Sequence, residues 1–152
     1  MEPWTAAVAV AALIGPVLAG VVVARAARAR ERRARVTELL LPFLSEPMAT
    51  TRRAAWAFLE AEGDDVRPFA AYVQDDPAYR DPARRPGVVE LLRVVLWLRT
   101  VVDLRRAGAL DARLDAELLA PHVRAWAGYT ERIARASADD PGGVDLFAWR
   151  RG

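Results

Sequence analysis

From Pro3 to Ala24 the chain carries no charged residue, and Trp4 to Ala24 is an unbroken run of 21 positions made of Ala, Val, Leu, Ile and Gly with one Trp, one Thr and one Pro. As a helix at 1.5 Å per residue, such a run is about 30 Å long, the thickness of a bilayer's hydrocarbon core. A cleaved signal peptide and a buried core helix are the competing explanations. A signal peptide begins with a basic n-region, whereas Met1-Glu2-Pro3 is acidic. Ala24-Arg25-Ala26 has the small-x-small form of a cleavage site, yet the Arg cluster that follows it disfavours export of a mature end. The sequence therefore predicts a retained transmembrane anchor over residues 1–24.

The two flanks of the run are unequal. Arg25, Arg28, Arg30, Arg32, Arg33 and Arg35 crowd one end, against a single Glu31, and no Arg stands at the other. Positive residues stay on the cytoplasmic side of a span, so the expected topology is N-terminus outside and C-terminal domain cytoplasmic, in a bacterial inner membrane. The same six Arg are expected to contact anionic lipid headgroups, at about 1 kcal/mol each near the surface. No aromatic residue interleaves with them, as single-strand stacking would need, and a segment pinned to a bilayer has no route to a groove; nucleic acid is not an expected partner. Within the run, Ala7, Ala11, Gly15 and Ala19 recur every fourth position. Such a stripe of small residues lets a second transmembrane helix approach closely.

Composition narrows the chemistry. All 22 basic residues are Arg, Ala occurs 31 times, and Lys, Asn and Cys are absent. This is the skew of GC-rich coding, so Arg abundance alone says little about nucleic acid. Without Cys there is no disulfide, thiolate metal site or thiol nucleophile. The formal charge of +2 hides a division, because residues 25–35 contribute +5 and residues 36–152 contribute −2. An acidic domain follows a cationic collar.

Beyond the collar the pattern is helical, with no convincing strand, and the expected fold class is all-α. A basic juxtamembrane helix is expected over 25–44, a helical domain over 45–138 and a tail over 139–152. Ser45 with Pro47 reads as a helix start, and Gly63 as its stop. Residues 75–86, with Pro77, Pro82 and Pro86, read as a loop. The long apolar segment from Pro86 to Ala107 reads as a central bundle helix rather than a second span, because Glu90, Arg93, Arg99 and Asp103 fall within it. Arg99 and Asp103 stand at pairing distance along it. Asp111 or Asp115 caps the next helical region, which Pro121 is expected to interrupt. Trp56, Trp97 and Trp126 lie on apolar faces and are expected in the core.

Motifs of catalysis do not emerge. The acidic doublets Asp64-Asp65, Asp75-Asp76 and Asp139-Asp140 lack the alternating ligand pattern of a calcium loop. His122 is the only histidine and has no nucleophile pattern beside it. There is no phosphate-binding Gly loop, metal-ligating His pair or nucleophile elbow. The expectation is a non-enzymatic chain with no cofactor and no metal, whose partners are membrane lipids and a protein or a second copy of itself. The alternative is a tethered domain that binds a small anionic ligand through Arg such as Arg93 and Arg99.

The order of elements resembles an uncharacterised family of small bacterial proteins with one N-terminal transmembrane helix and a cytoplasmic helical domain of unknown function. The resemblance is carried by Ser45-Glu46-Pro47-Met48 with Arg52-Arg53-Ala54-Ala55-Trp56, by Arg105-Arg106-Ala107-Gly108-Ala109-Leu110-Asp111 closing the long apolar helix, and by Val123 to Trp126. It implies the architecture and brings no substrate, cofactor or functional residue.

Overall fold

The computed structural model describes residues 3–63, 66–74, 85–138, 147 and 150; of these, the side chains of residues 3–18, 70, 73, 74, 85 and 86 lie outside the description. All regular elements among the described residues are helical. α1 (Pro3–Leu44) is a single helix of 42 residues, about 63 Å long. α2 (Glu46–Glu62) follows almost without a loop. The hinge is Ser45, whose hydroxyl donates to the Pro42 carbonyl at 2.6 Å, while its own carbonyl accepts from Ala49 N–H at 2.8 Å. Ser45 thus occupies the N-cap position expected of it, but its side chain satisfies the end of α1 instead of capping α2.

α3 (Phe69–Gln74) and α4 (Arg85–Arg106) come next. α4 stops in a Schellman arrangement, with Gly108 N–H on Arg105 O and Ala109 N–H on Leu104 O, both at 2.9 Å. Gly108 takes φ 62°, the left-handed conformation that this cap requires. α5 (Ala112–Leu114) starts at Asp111, whose carboxylate accepts from Leu114 N–H at 3.2 Å. It runs directly into a π-helical turn (Asp115–Leu119) and then α6 (Ala120–Tyr129). Pro121 therefore does not interrupt the helix, as its sequence position suggested. The wider turn, closed by Ala120 N–H on Asp115 O, accommodates a residue that has no N–H to give to the i−4 carbonyl. α7 (Glu131–Ala138) ends the described helices.

α4 is the axis of the core. Val88, Leu91, Val94, Val95, Leu98, Val101 and Val102 are fully buried, at the 3–4-residue spacing of one helical face. Each such side chain contributes roughly 1.5–3 kcal/mol of apolar burial. α2 packs along it so closely that a Cβ at Gly87 would lie 2.7 Å from Phe58 Cβ. α1 runs antiparallel to α4. Its Arg33 reaches Asp111, beyond the C-terminal end of α4, the Leu39 carbonyl accepts from Trp97 Nε1 at 3.1 Å, and Phe43 stacks on Trp97. Val36 and Phe43 are completely buried. Residues 25–44 are therefore not a separate juxtamembrane element, because the last turns of α1 belong to the core of the domain.

The tail also belongs to the bundle where it is described. Phe147 is buried with its ring 6.0 Å from that of Phe69, and Arg150 donates to the Ala127 carbonyl at 2.9 Å. Asp64-Asp65, Asp75-Asp76 and Asp139-Asp140, and residues 75–84 of the expected loop, lie outside the described residues.

Among the described residues no helix is long and apolar enough to cross a membrane. The side chains of Trp4 to Leu18, most of the uncharged run, are outside the description, so the membrane reading of this segment rests on the sequence. Val21, Val22 and Val23, at the end of the run, are exposed.

Candidate functional site

Two helical stripes face each other across the surface. On α2, Ala49, Arg52, Arg53 and Trp56 stand at i, i+3, i+4 and i+7; on α6, His122, Ala125, Trp126 and Tyr129 repeat that spacing. Positions so spaced share one face of a helix. Together with Glu46 they line a groove of about 730 Å³. The small side chains of Ala49 and Ala125 leave the gap between the helices unfilled, and aromatic rings form its wall. Trp56 and Tyr129 meet edge to face at 4.3 Å between centroids, and Trp126 and Tyr129 do so at 5.6 Å. Trp126 is buried, whereas Trp56 and Tyr129 are 37% and 45% exposed, so the groove opens to solvent along the Trp56 edge. The expectation that Trp56 is core is corrected here: the apolar face on which it sits is a groove wall.

The two cationic residues of α2 differ. Arg53 is held by Glu46 at 3.1 Å and reaches Thr50 at 3.4 Å. Arg52 lies with its guanidinium carbon 4.3 Å from the Phe43 ring centroid. Among the described residues no carboxylate pairs with it. Burial pulls Arg52 below the ordinary guanidinium value, since a partly desolvated cation without a counter-ion is disfavoured. His122, whose ring is tilted against Phe43 at 5.1 Å, is pulled below its ordinary value by burial and then by the positive charge of Arg52. At neutral pH it is an uncharged imidazole, with one N–H to donate and one nitrogen to accept.

The Arg proposed from sequence as ligand contacts stand elsewhere. Arg93 is exposed and pairs with Glu90 at 2.8 Å, and Arg99 pairs with Asp103 at 3.6 Å, as its spacing suggested. Neither faces the interior of the bundle. Of the collar, Arg25, Arg28, Arg30 and Arg32 are exposed. Arg33 bridges to Asp111 at 3.3 Å and Arg35 pairs with Glu31 one turn back. Ala19 is exposed, and the surroundings of Ala7, Ala11 and Gly15 lie outside the description.

Two partly buried polar clusters lie outside the groove and brace the domain. Arg105 makes a bidentate pair with Asp115, at 2.6 and 2.9 Å, and joins α4 to the π-helical turn. The hydrogen bonds to Asp115 raise the pKa of Arg105. Tyr72 donates its hydroxyl to Glu62 at 2.8 Å and accepts from Arg67 N–H at 3.0 Å; burial, foremost, pushes its pKa up to about 12. Among the described residues no three His, Asp or Glu side chains converge as a metal ion would require.

No protein-family model, curated protein or solved structure matches the chain.

Proposed function

We propose that the chain is a single-pass membrane protein that holds a small helical domain at the cytoplasmic face of a bacterial inner membrane, as a non-catalytic interaction module for a protein partner or a second copy of itself. The observation that carries this reading is the continuity of α1, which joins the uncharged run, the Arg collar and the domain core in one helix from Pro3 to Leu44. A strut of this kind fixes the distance of the domain from the bilayer. If Ala24 ends the span, Arg33, where α1 first pairs with the domain, lies about 14 Å beyond it, and the exposed Arg25, Arg28, Arg30 and Arg32 fall at headgroup depth. Leu104 to Asp111 form the membrane-proximal end of the bundle, and the α2/α6 groove lies at the distal end, beside Phe43.

Membrane fractionation with a high-salt wash tests the anchoring. Collar electrostatics alone are screened by salt, so a salt-released protein contradicts a span, and a protein extracted only by detergent supports it. Mass measurement in mild detergent tests the module. A dimer or a complex with a bound protein supports it, and a strictly monomeric, partner-free species counts against it.

A further inference from the structure

Among the described residues Arg52 is a charge without a counter-charge. It lies on the wall of an open groove, its guanidinium over the Phe43 ring, and no carboxylate among the described residues neutralises it. Its neighbour Arg53 is already engaged by Glu46. A partly buried cation is favoured by an accompanying anion and hydrogen bonds; Glu46, the carboxylate of the groove lining, is engaged by Arg53, and the groove leaves space for an anion from outside on Arg52.

The remaining lining defines what the anion is attached to. Trp56, Trp126 and Tyr129 line the groove, and aromatic walls favour a flat apolar body. His122 adjoins Arg52 around Phe43 and is uncharged at neutral pH, so it offers a hydrogen bond and leaves Arg52 as the main charge at that end. About 730 Å³ lies within the roughly 300–1,000 Å³ of sites for small organic molecules, which combine apolar walls with a few convergent polar groups.

We propose that the α2/α6 groove binds a small aromatic anion, its carboxylate or phosphate on Arg52 and His122 and its ring among Trp56, Trp126 and Tyr129. Arg52 binds by charge and by its planar fork, which matches either oxyanion. The groove lies beside Phe43, 19 residues after Ala24 in α1 and so about 28 Å along the helix from that residue. A lipid headgroup held in a bilayer that ends at Ala24 does not reach it, and the ligand comes from the aqueous side. Only the exclusion of a lipid source rests on the proposed span; the groove itself is built by α2 and α6 with Phe43 behind it.

The test is calorimetric titration of the full-length chain in detergent micelles with phenylacetate, phenyl phosphate and the neutral phenylacetamide. At least one anion is expected to bind with Kd under about 10 mM and at least about tenfold more tightly than the amide; whichever of the two binds assigns carboxylate or phosphate. Arg52→Gln is expected to weaken that binding at least tenfold and Trp56→Ala to weaken it severalfold. Arg93→Gln, which alters an exposed Arg outside the groove that is already paired with Glu90, changes it less than threefold. Because Arg52 also rests on Phe43, Arg52→Lys serves as the fold-preserving variant: it keeps the charge, loses the fork and retains weakened binding. Helical circular dichroism reports whether each variant is folded. The proposal is overturned if neither anion binds, if the amide binds as well as the anions, or if Arg93→Gln loses as much as a folded Arg52→Gln.

Discussion

The ring of Phe43, near the end of α1, is stacked on the indole of Trp97 in the middle of α4, with centroids 3.8 Å apart and planes inclined by 17°. The same indole donates to the Leu39 carbonyl, so α1 is fixed to α4 in register as well as by burial. Phe43 also carries the Arg52 guanidinium and the His122 ring, and it joins the strut, the core and the groove. Phe43→Ala is expected to lower stability by about 3–5 kcal/mol, the usual cost of emptying a buried aromatic position, measured by denaturant unfolding in detergent. A chain beginning at residue 25 keeps Val36, Leu39 and Phe43 and is expected to fold; one beginning at residue 45 is not. Equal cooperativity of the two in thermal unfolding would contradict the assignment of the last turns of α1 to the core.

Gly87 tests the α2/α4 contact. In an open helix Gly→Ala stabilises by up to about 1 kcal/mol. Here the new methyl would meet Phe58 Cβ at 2.7 Å, and Phe58 Cβ is fixed to its backbone. Gly87→Ala is therefore expected to destabilise, by about 1–2 kcal/mol once overpacking is set against propensity. A raised melting temperature would show that α2 and α4 are further apart.

The Arg105–Asp115 pair is the latch on the π-helical turn. Arg105→Ala strands a carboxylate that is 8% exposed and is expected to cost about 3 kcal/mol. Replacing both partners with apolar residues is expected to cost less than the single change, since it leaves no buried charge. A double-mutant cycle with no coupling between the two sites would refute the latch.

Tyr72 and His122 give the fold opposite pH limits. The raised pKa of Tyr72, about 12 against an ordinary 10, favours the neutral phenol in the fold. Its contribution is whole below pH about 10 and is lost as pH rises through the folded value. The lowered pKa of His122 favours the neutral imidazole, so its contribution is present above about pH 6.5 and fades as pH falls through the folded value. Because the chain has one histidine, its titration is followed by NMR without assignment. Arg52→Gln removes a positive neighbour and is expected to raise the His122 pKa; no change would separate the two residues. Tyr72→Phe leaves Glu62 and the Arg67 N–H short of one partner each and is expected to cost about 1–3 kcal/mol.

Much of the architecture was legible in the residues. Pro47, Gly63, Gly108 and Asp111 mark helix limits because each acts locally, through a missing donor, a left-handed φ or a capping carboxylate. Arg99 and Asp103 pair because four residues on a helix are neighbours. What escaped detection was non-local. The Val36–Phe43 face looks like the continuation of a juxtamembrane helix until α4 is placed against it. Trp56 and Tyr129 have the spacing of core residues and line a groove only because Ala49 and Ala125 leave the space between the helices unfilled. Arg52 and Arg53 are adjacent and identical in sequence, and Glu46, seven residues from Arg53, makes them unequal.

In the proposed topology α1 enters the membrane as one helix with the domain on its cytoplasmic end. The chain has no cysteine, so single cysteines report topology without background. Glu2→Cys and the exposed Ala61→Cys are expressed in bacteria and treated with a membrane-impermeant maleimide, with the outer membrane opened and the inner membrane intact. With this topology Glu2→Cys is labelled in these cells and Ala61→Cys only after the inner membrane is permeabilised. Labelling of Ala61→Cys from outside, or protection of both positions until lysis, would contradict it.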